Sequence, residues 1–410
     1  MQETQNISIV GLDIGTSAVR CVVGMIDSDS NGKISIIGHG SAKNSGMRKG
    51  IVTHVDDVTE AIVQAVTEAE RISGQQINHA TVNVNGSHVL GFNSKGVIAI
   101  SGVNKEITPE DRMRVEEAAT VVTMPMNREI VQFFAKSYSL DGQNNIKDPV
   151  GMQGIRLEVE AHIVTAATPN LRNLTQSLDK ADIAVTNYTV SSLAAAEAVL
   201  TRQQKEAGVL VLDIGAGTTN LIVIEDGEVQ HVAVIPVGGI NLTNDLAIGL
   251  KTDLEIAEKV KLEYASLISD SSRTTINVKY LKQSLLFNYQ DIALITEARI
   301  EELLEYVEKE LHKIKKSRKL PGGVVLVGGT ANLPGIAEFT SDKLQLPARV
   351  GKINNVSGLV DTVDGVNYCT CVGLMMLDML LMPTVSGVQS SLSQTTYGLA
   401  DKLFKKFKKR

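Results

Sequence analysis

The segment Val209-Leu210-Val211-Leu212-Asp213-Ile214-Gly215 nearly repeats Ile9-Val10-Gly11-Leu12-Asp13-Ile14-Gly15, with the two aspartates 200 residues apart. That spacing is far beyond the ~20–50 residues of a solenoid unit. It implies two similar domains, each opening with a buried strand that ends in a carboxylate and turns through a glycine. At about 150 residues per domain, a chain of 410 has room for two or three.

Around each repeat the pattern is α/β. Residues 7–13, 18–26 and 33–38 are strand-like, with a polar hairpin loop at 27–32. Val55, Val58, Ile62, Val66 and Ala69 recur at helical spacing, predicting a helix over 55–73, and 80–85 reads as a strand. Between about 86 and 163 strand candidates (97–100, 129–139) surround one helix and a turn-rich stretch at 141–154, an inserted small α/β unit. The helix announces itself at Thr108-Pro109-Glu110-Asp111, with an N-cap, a proline at the first position and a capping-box carboxylate. Residues 170–179, 191–206, 253–264, 296–316 and 368–382 read as helices, 324–327 as a short buried strand, and 384–396 as a flexible linker.

Each aspartate sits in a motif that suits polyphosphate chemistry. In Asp13-Ile14-Gly15-Thr16-Ser17, the glycine allows a tight turn whose amides can face a phosphate. Asp13 would repel phosphate directly, so its use is to hold a hydrated Mg²⁺. On its own the motif reads equally as a strand turn capped by an aspartate. Asp213-Ile214-Gly215-Ala216-Gly217-Thr218-Thr219 is the same device with a second glycine. Two such loops place a polyphosphate between them, with one carboxylate from each approaching the metal. Leu326-Val327-Gly328-Gly329-Thr330-Ala331-Asn332 joins a buried strand to bare backbone on which a flat base can pack; a plain strand-to-helix turn is the alternative. Glu258 and Lys261, three apart on a helix, share a face and can clasp a ribose and an adenine, or form a solvated pair.

The far end of the chain carries a different chemistry. Leu399, Leu403, Phe404 and Phe407 fall at i, i+4, i+5 and i+8, surrounded by Lys402, Lys405, Lys406, Lys408, Lys409 and Arg410. A basic amphipathic helix of this kind lies in a membrane interface rather than crossing it. Each cation near an anionic surface contributes about 1 kcal/mol, so one tail binds reversibly and assembly of many would raise avidity. The net charge of −6 divides into +5 on the last ten residues and −11 on the other 400, a body that repels nucleic acid. The longest apolar run, 369–382, is too short to span a bilayer and contains Asp378; the first five residues carry no signal-peptide pattern. Cys21, Cys369 and Cys371 cannot build a disulfide framework, so a reducing compartment is expected. The seven histidines lack zinc-type spacing.

In this order the motifs resemble the actin-like ATPase superfamily. Within it the chain is similar to the FtsA family of bacterial cell-division proteins. Glu106-Ile107-Thr108, Arg128-Glu129-Ile130, Pro149-Val150-Gly151-Met152 and Arg156-Leu157-Glu158 in the insertion carry that likeness, as do Gly238-Gly239 through Asp245-Leu246-Ala247 and the basic tail.

The resemblance implies an actin-like two-domain fold of duplicated RNase H-like domains with an inserted subdomain and a C-terminal amphipathic helix. Its divisions would be 1–85, 86–163 (insertion) and 164–192 for the first domain, then 193–236, 237–300 (a small subdomain) and 301–367 for the second. A returning helix (368–383), the linker (384–396) and a membrane-targeting helix (397–410) would follow. It implies ATP and Mg²⁺ as ligands. Asp13, Gly15, Thr16, Ser17 and Arg20 would form the first phosphate site, and Asp213, Gly215, Gly217, Thr218 and Thr219 the second. Glu258, Lys261, Gly328, Gly329, Thr330 and Asn332 would lie about the nucleoside, Gly238 and Gly239 would also bind the nucleotide, and Asp13 and Asp213 would reach the metal through water.

The partners so implied are the C-terminal tail peptide of the tubulin-like ring protein FtsZ, further copies of this chain, an anionic membrane surface at the inner face of the division site, and other division proteins. The peptide would dock on 237–300, near Arg299 and Glu302, with Asn288 and Lys282 as neighbours; the same pair also reads as an ordinary surface ion pair. Relatives with clear ATPase activity often carry Glu or Gln just before the small-residue helix between the domains. Here that place reads Ser191-Ser192-Leu193, with Glu197 further along, so slow turnover at most is expected and no catalytic residue is assigned. A pilus-assembly relative of the same fold and a sugar-kinase-type phosphotransferase are the alternatives. The basic tail argues against the first, and the want of a catalytic base against the second.

Overall fold

The two repeated segments become the central strands of two sheets built alike. A computed structural model describes residues 8–26, 34–102, 104–121, 127–270, 272–281, 283–363 and 365–381. The expected hairpin loop at 27–32, the linker and the amphipathic tail lie outside the described residues. The first part comprises β1 (Ser8–Ile14), β2 (Ala18–Ile26), β3 (Ile34–Lys43), the short β4 (Met47–Arg48) and β5 (Ile51–Val52), α1 (Val55–Ser73) and β6 (His79–Val84). An insertion follows, with β7 (Leu90–Ala99), α2 (Pro109–Thr120), β8 (Arg128–Leu140), β9 (Gln143–Ile146) and β10 (Arg156–Ala167). The chain returns through α3 (Thr168–Lys180) and β11 (Ala184–Val190), then crosses along α4 (Ser191–Val199) and α5 (Arg202–Ala207).

The second part starts with β12 (Val209–Ile214), β13 (Thr219–Glu225) and β14 (Glu228–Ile235). It continues through α6 (Gly239–Gly249), α7 (Leu254–Tyr264), the hairpin β15 (Thr275–Tyr280) and β16 (Gln283–Asn288), and α8 (Tyr289–Lys313). β17 (Val324–Val327), α9 (Ile336–Leu344), β18 (Ala348–Val350), β19 (Val356–Gly358), α10 (Val360–Val363) and α11 (Cys369–Leu381) complete it.

The strand orders are β11-β6-β1-β2-β3-β19 and β14-β13-β12-β17-β18. In each, three consecutive strands pair antiparallel, and the first then pairs parallel with a later strand on its other edge. The duplication read from the two strand motifs is therefore a duplication of topology. One apolar core runs through both sheets, and separate clusters fill the insertion and the α6–α8 region.

Several boundaries differ from the periodicity reading for local reasons. The helix expected over 191–206 breaks at Leu200, which is extended, and restarts behind Thr201, whose hydroxyl caps Gln204 while the Gln204 side chain reaches back. The turn-rich 141–154 stretch contains β9, set by a two-residue Asp141-Gly142 hairpin loop with both φ values positive (49° and 90°). α8 begins at Tyr289, two turns before the expected start at 296, because Asn288 caps it by accepting the Gln290 backbone N–H through Oδ1 (2.9 Å). The capping box foreseen at Thr108 is present.

The insertion leaves and re-enters the first sheet, yet it packs on the second. The β10 imidazole of His162 accepts the backbone N–H of Val232 on β14 (3.0 Å) through Nε2. Since Val232 can only donate, the His162 proton sits on Nδ1 and is given to Asn93 Oδ1 (2.8 Å). Burial, with His231 adding to it, lowers this histidine to about 3, so it is neutral at physiological pH. Gly91 belongs to the same contact: a Cβ there would stand 2.4 Å from Val232 O. Lys147 reaches Glu206 (3.1 Å) and the Asp226 carbonyl (2.8 Å) across the junction.

Beside this junction burial raises Glu228 from 4.5 to about 7, Lys147 opposing and Glu206 adding to the rise. Its favourable contribution is complete below its unfolded value of 4.5 and is lost as pH rises through about 7. Glu228→Gln should therefore raise the melting temperature more at pH ~8 than at pH ~5. A gain independent of pH in thermal melts would contradict this assignment.

Candidate functional site

The two aspartate motifs fold into matching hairpins. In the first, Ile14 pairs with Val19 and Gly15 N–H reaches Ala18 O (3.0 Å), leaving Thr16 and Ser17 at the tip. In the second, Ile214 pairs with Thr219 and Gly215 N–H reaches Thr218 O (2.9 Å), leaving Ala216 and Gly217. The tips meet: a Cβ on Gly217 would lie 2.8 Å from Thr16 Oγ1. Between the two sheets lies a cleft of about 310 Å³, lined by both hairpins.

Asp13 and Asp213 face this cleft while only 9% and 8% exposed. Burial holds both carboxyls above the ordinary carboxylate range; Arg20 opposes the shift in each, and the charge of Asp213 adds to it at Asp13. Asp13 Oδ1 accepts from Asn83 (2.7 Å), and Asp213 Oδ2 from Thr370 (3.2 Å). Arg20 lies 5.5 Å from the centre of the Tyr368 ring, with its Nε buried and without a hydrogen-bond partner.

The nucleoside end is built from the second domain. Gly328, at φ 85°, brings the backbone so close that a Cβ would stand 2.5 Å from Asp213 Oδ1, whereas one on Gly329 would meet open space. Residues Gly329–Asn332 form one turn of 3₁₀ helix. Across from them Lys261 Nζ donates to Glu258 (2.6 Å), Thr243 Oγ1 (2.9 Å) and Gly239 O (3.3 Å). The pair read from its spacing is thus real and held by a third residue.

Of the predicted residues, Asp13, Gly15, Thr16, Ser17, Arg20, Asp213, Gly215, Thr218, Gly239, Glu258, Lys261, Gly328, Gly329, Thr330 and Asn332 line the one cleft. Three stand behind it. Gly217 meets Thr16, Thr219 donates to Val237 O (2.9 Å), and Gly238 packs against Gly215 O, 2.6 Å from where its Cβ would be. Arg299 is elsewhere, forking onto Asp245 of α6 (Nη2–Oδ1 3.0 Å) and pairing with Glu302, so it joins α8 to α6. Lys282 and the tail residues Leu399, Lys402, Leu403, Phe404, Lys405, Lys406 and Phe407 fall outside the described residues.

Sequence reasoning missed Asn83, Asn85 and Thr370. A signal existed: Thr81 and Asn83 are polar at alternate positions of the buried strand β6, and Asn85 follows its end in the same phase. Each finds a partner, in Asp378, Asp13 and Thr218 respectively. Thr370 lies in a largely apolar helix that also carries Asp378, and only the fold reveals what it faces.

Comparison with known proteins follows this geometry. A family model described as cell division protein FtsA matches residues 210–373, and one described as the SHS2 domain inserted in FtsA matches 86–165. The cell division protein FtsA of Pseudomonas aeruginosa is 34% identical, over 95% of this chain and 93% of its own. That of Bacillus subtilis is 39% identical, over 89% and 82%. Among solved structures, the PilM-PilN type IV pilus biogenesis complex superposes with a TM-score of 0.65 at 17% identity, covering 92% of this chain and 100% of that one. MreB5 of Spiroplasma citri, solved bound to ADP, gives 0.53 at 13% identity over 91% and 96%. The fold is actin-like, with an SHS2 insertion.

Proposed function

The chain belongs to the FtsA family of cell-division proteins, and from that premise we propose that it binds MgATP between its two domains, assembles with copies of itself, and tethers FtsZ to the inner face of the membrane. The meeting of two aspartate hairpins on one cleft carries this reading. Its volume falls within the ~300–1,000 Å³ of small-molecule sites. Among the described residues no three His, Cys, Asp or Glu gather as a metal cage. Two opposed carboxylates with room for water and phosphate suit Mg²⁺, which keeps several waters. The unpaired Nε of Arg20 offers a buried donor to an anion. When bound, Mg²⁺ neutralises polyphosphate charge; the hairpin tips would hold the phosphates, Gly329 the base, and Glu258 and Lys261 the ribose and adenine. A ligand touching both hairpins fixes the angle between domains and so favours assembly.

Slow turnover fits the same geometry. Ser191 stands at the head of α4, and Glu197 is committed to Lys205 (2.7 Å). Membership of the FtsA family displaces the sugar-kinase and pilus alternatives. FtsZ docking at the α6–α8 face would use Arg299 as it stands, with part of its charge already taken by Asp245 and Glu302. The membrane contact would be made by the tail; among the described residues no helix is long and apolar enough to cross a bilayer.

Liposome co-sedimentation tests the tether. Full-length chain should pellet with anionic vesicles, more so with MgATP, and a version lacking 396–410 should stay in the supernatant. Equal pelleting of both removes the tether from the reading.

A further inference from the structure

Asn83 is the next-to-last residue of β6 and is 2% exposed. Its amide is fully committed. Oδ1 accepts the backbone N–H of Ile14 (2.8 Å), and Nδ2 donates to Asp13 Oδ1 (2.7 Å) and to Ser191 Oγ (3.1 Å). A reversed amide would set N–H against N–H and oxygen against carboxylate, so these partners fix its orientation. With Oδ1 of Asp13 taken by this bond, the other carboxylate oxygen is left for the cleft.

The third partner leads out of the site. Ser191 is the first residue of α4, the helix that passes from one sheet to the other. The two residues before it are held by the insertion: Val190 N–H donates to Gln132 Oε1 (3.2 Å), and Gln132 Nε2 donates to Thr189 Oγ1 (2.9 Å). Gln132 lies on β8. Hydrogen bonds therefore run from the first hairpin through Asn83 to the head of α4, where the insertion also grips. The aspartate of the second hairpin is held instead by Thr370 of α11.

We propose that Asn83 is a positioning residue which aims Asp13 at the metal of a bound nucleotide and couples that carboxylate to the head of α4 and, through Gln132, to the insertion. This rests on the MgATP reading above. Outer-shell partners that orient a metal-binding carboxylate typically change metal affinity by about 10–100-fold when removed. A hydrogen-bonded path counts as coupling only if occupancy at one end changes the other.

The test uses the full chain, with a fluorescent ATP analogue titrated in MgCl₂ and in EDTA, and amide hydrogen exchange followed over 128–140 and 184–199 with and without MgATP. Wild type should bind more tightly with Mg²⁺ and gain protection in both segments. Asn83→Ala should lose about 10-fold or more of the Mg²⁺-dependent gain, and Ser191→Ala should lose the added protection. A full gain in Asn83→Ala, or full protection in Ser191→Ala, overturns the proposal while leaving the nucleotide reading intact. Absence of binding by wild type overturns the nucleotide reading and the proposal with it. Should Asn83→Ala fail to fold, the exchange behaviour of Ser191→Ala decides alone.

Discussion

Replacing Asp213 by Asn is expected to weaken Mg²⁺-dependent ATP binding strongly while making the nucleotide-free protein more stable. The two effects share a cause. Asp213 is almost wholly buried opposite Asp13, and burial drives its carboxyl above the usual range. A folded-state pKa above the unfolded one means that ionisation works against folding, so the penalty grows as pH rises out of the acid range. An amide of the same shape removes that penalty and can keep the acceptor that Thr370 uses. A gain on the order of 1 kcal/mol, about 2 °C in melting temperature, should appear at pH ~7.5 and shrink toward pH ~5. The same charge is what a metal would need. Its removal should weaken MgATP binding by at least the ~10–100-fold that losing an outer-shell partner of a metal typically costs. Sites built for function commonly trade stability in this way. Titration calorimetry and thermal melts of one variant read both halves. Unimpaired Mg²⁺-dependent binding would remove Asp213 from the metal site, and a less stable apo protein would show that its charge is compensated.

Gly373→Ala should lower the melting temperature sharply, against the preference of helices for alanine. In an unpacked helix that change gains about 1 kcal/mol. At position 373, however, a Cβ would fall 1.7 Å from the carbonyl oxygen of Ala194, a backbone atom of α4. α11 cannot shift away, because its other side rests on β1, where a Cβ on Gly11 would already be 2.3 Å from Cys371 O and 2.5 Å from Met375 N. The helix is also pinned by Asp378, fully buried, which accepts from Val10 N (3.1 Å) and Thr81 Oγ1 (2.7 Å). Overpacking costs about 1–3 kcal/mol where side chains can move, and backbone against backbone belongs at or above the top of that range. A loss of ~3 kcal/mol corresponds to roughly 6–12 °C for a domain of ordinary size. Because α4 and α11 are the elements that touch while serving both sheets, weaker nucleotide binding should accompany the loss. A melting temperature equal to or above wild type in scanning calorimetry would show that the helices part without cost.

Legibility followed range. The hairpin turns, the capping box at Thr108 and the Glu258–Lys261 pair depend on residues within a few positions of one another, where backbone geometry alone relates type to structure. The break before Thr201 and the Asp141-Gly142 loop were equally local, and their signals, a second capping box and an Asp-Gly dipeptide, stand in the sequence. Asn83, Thr370 and the docking of His162 on β14 were of another kind. Nothing within several residues of Asn83 says that its amide meets Asp13 on one side and Ser191 on the other, 70 and 108 positions away.

The sequence by itself determined that there are two like halves, each with a carboxylate at the end of a buried strand. Strand patterning, glycine turns and charge depend on covalent neighbours, and those are written in order along the chain. Only the tertiary structure decided that both carboxylates open on one cleft, that the insertion belongs to the first half by connection but rests on the second by contact, and that α11 passes between β1 and α4 with no space for a methyl group. Each of these is a relation between surfaces far apart in sequence, selected by which apolar faces can be covered together, and close packing allows few such arrangements.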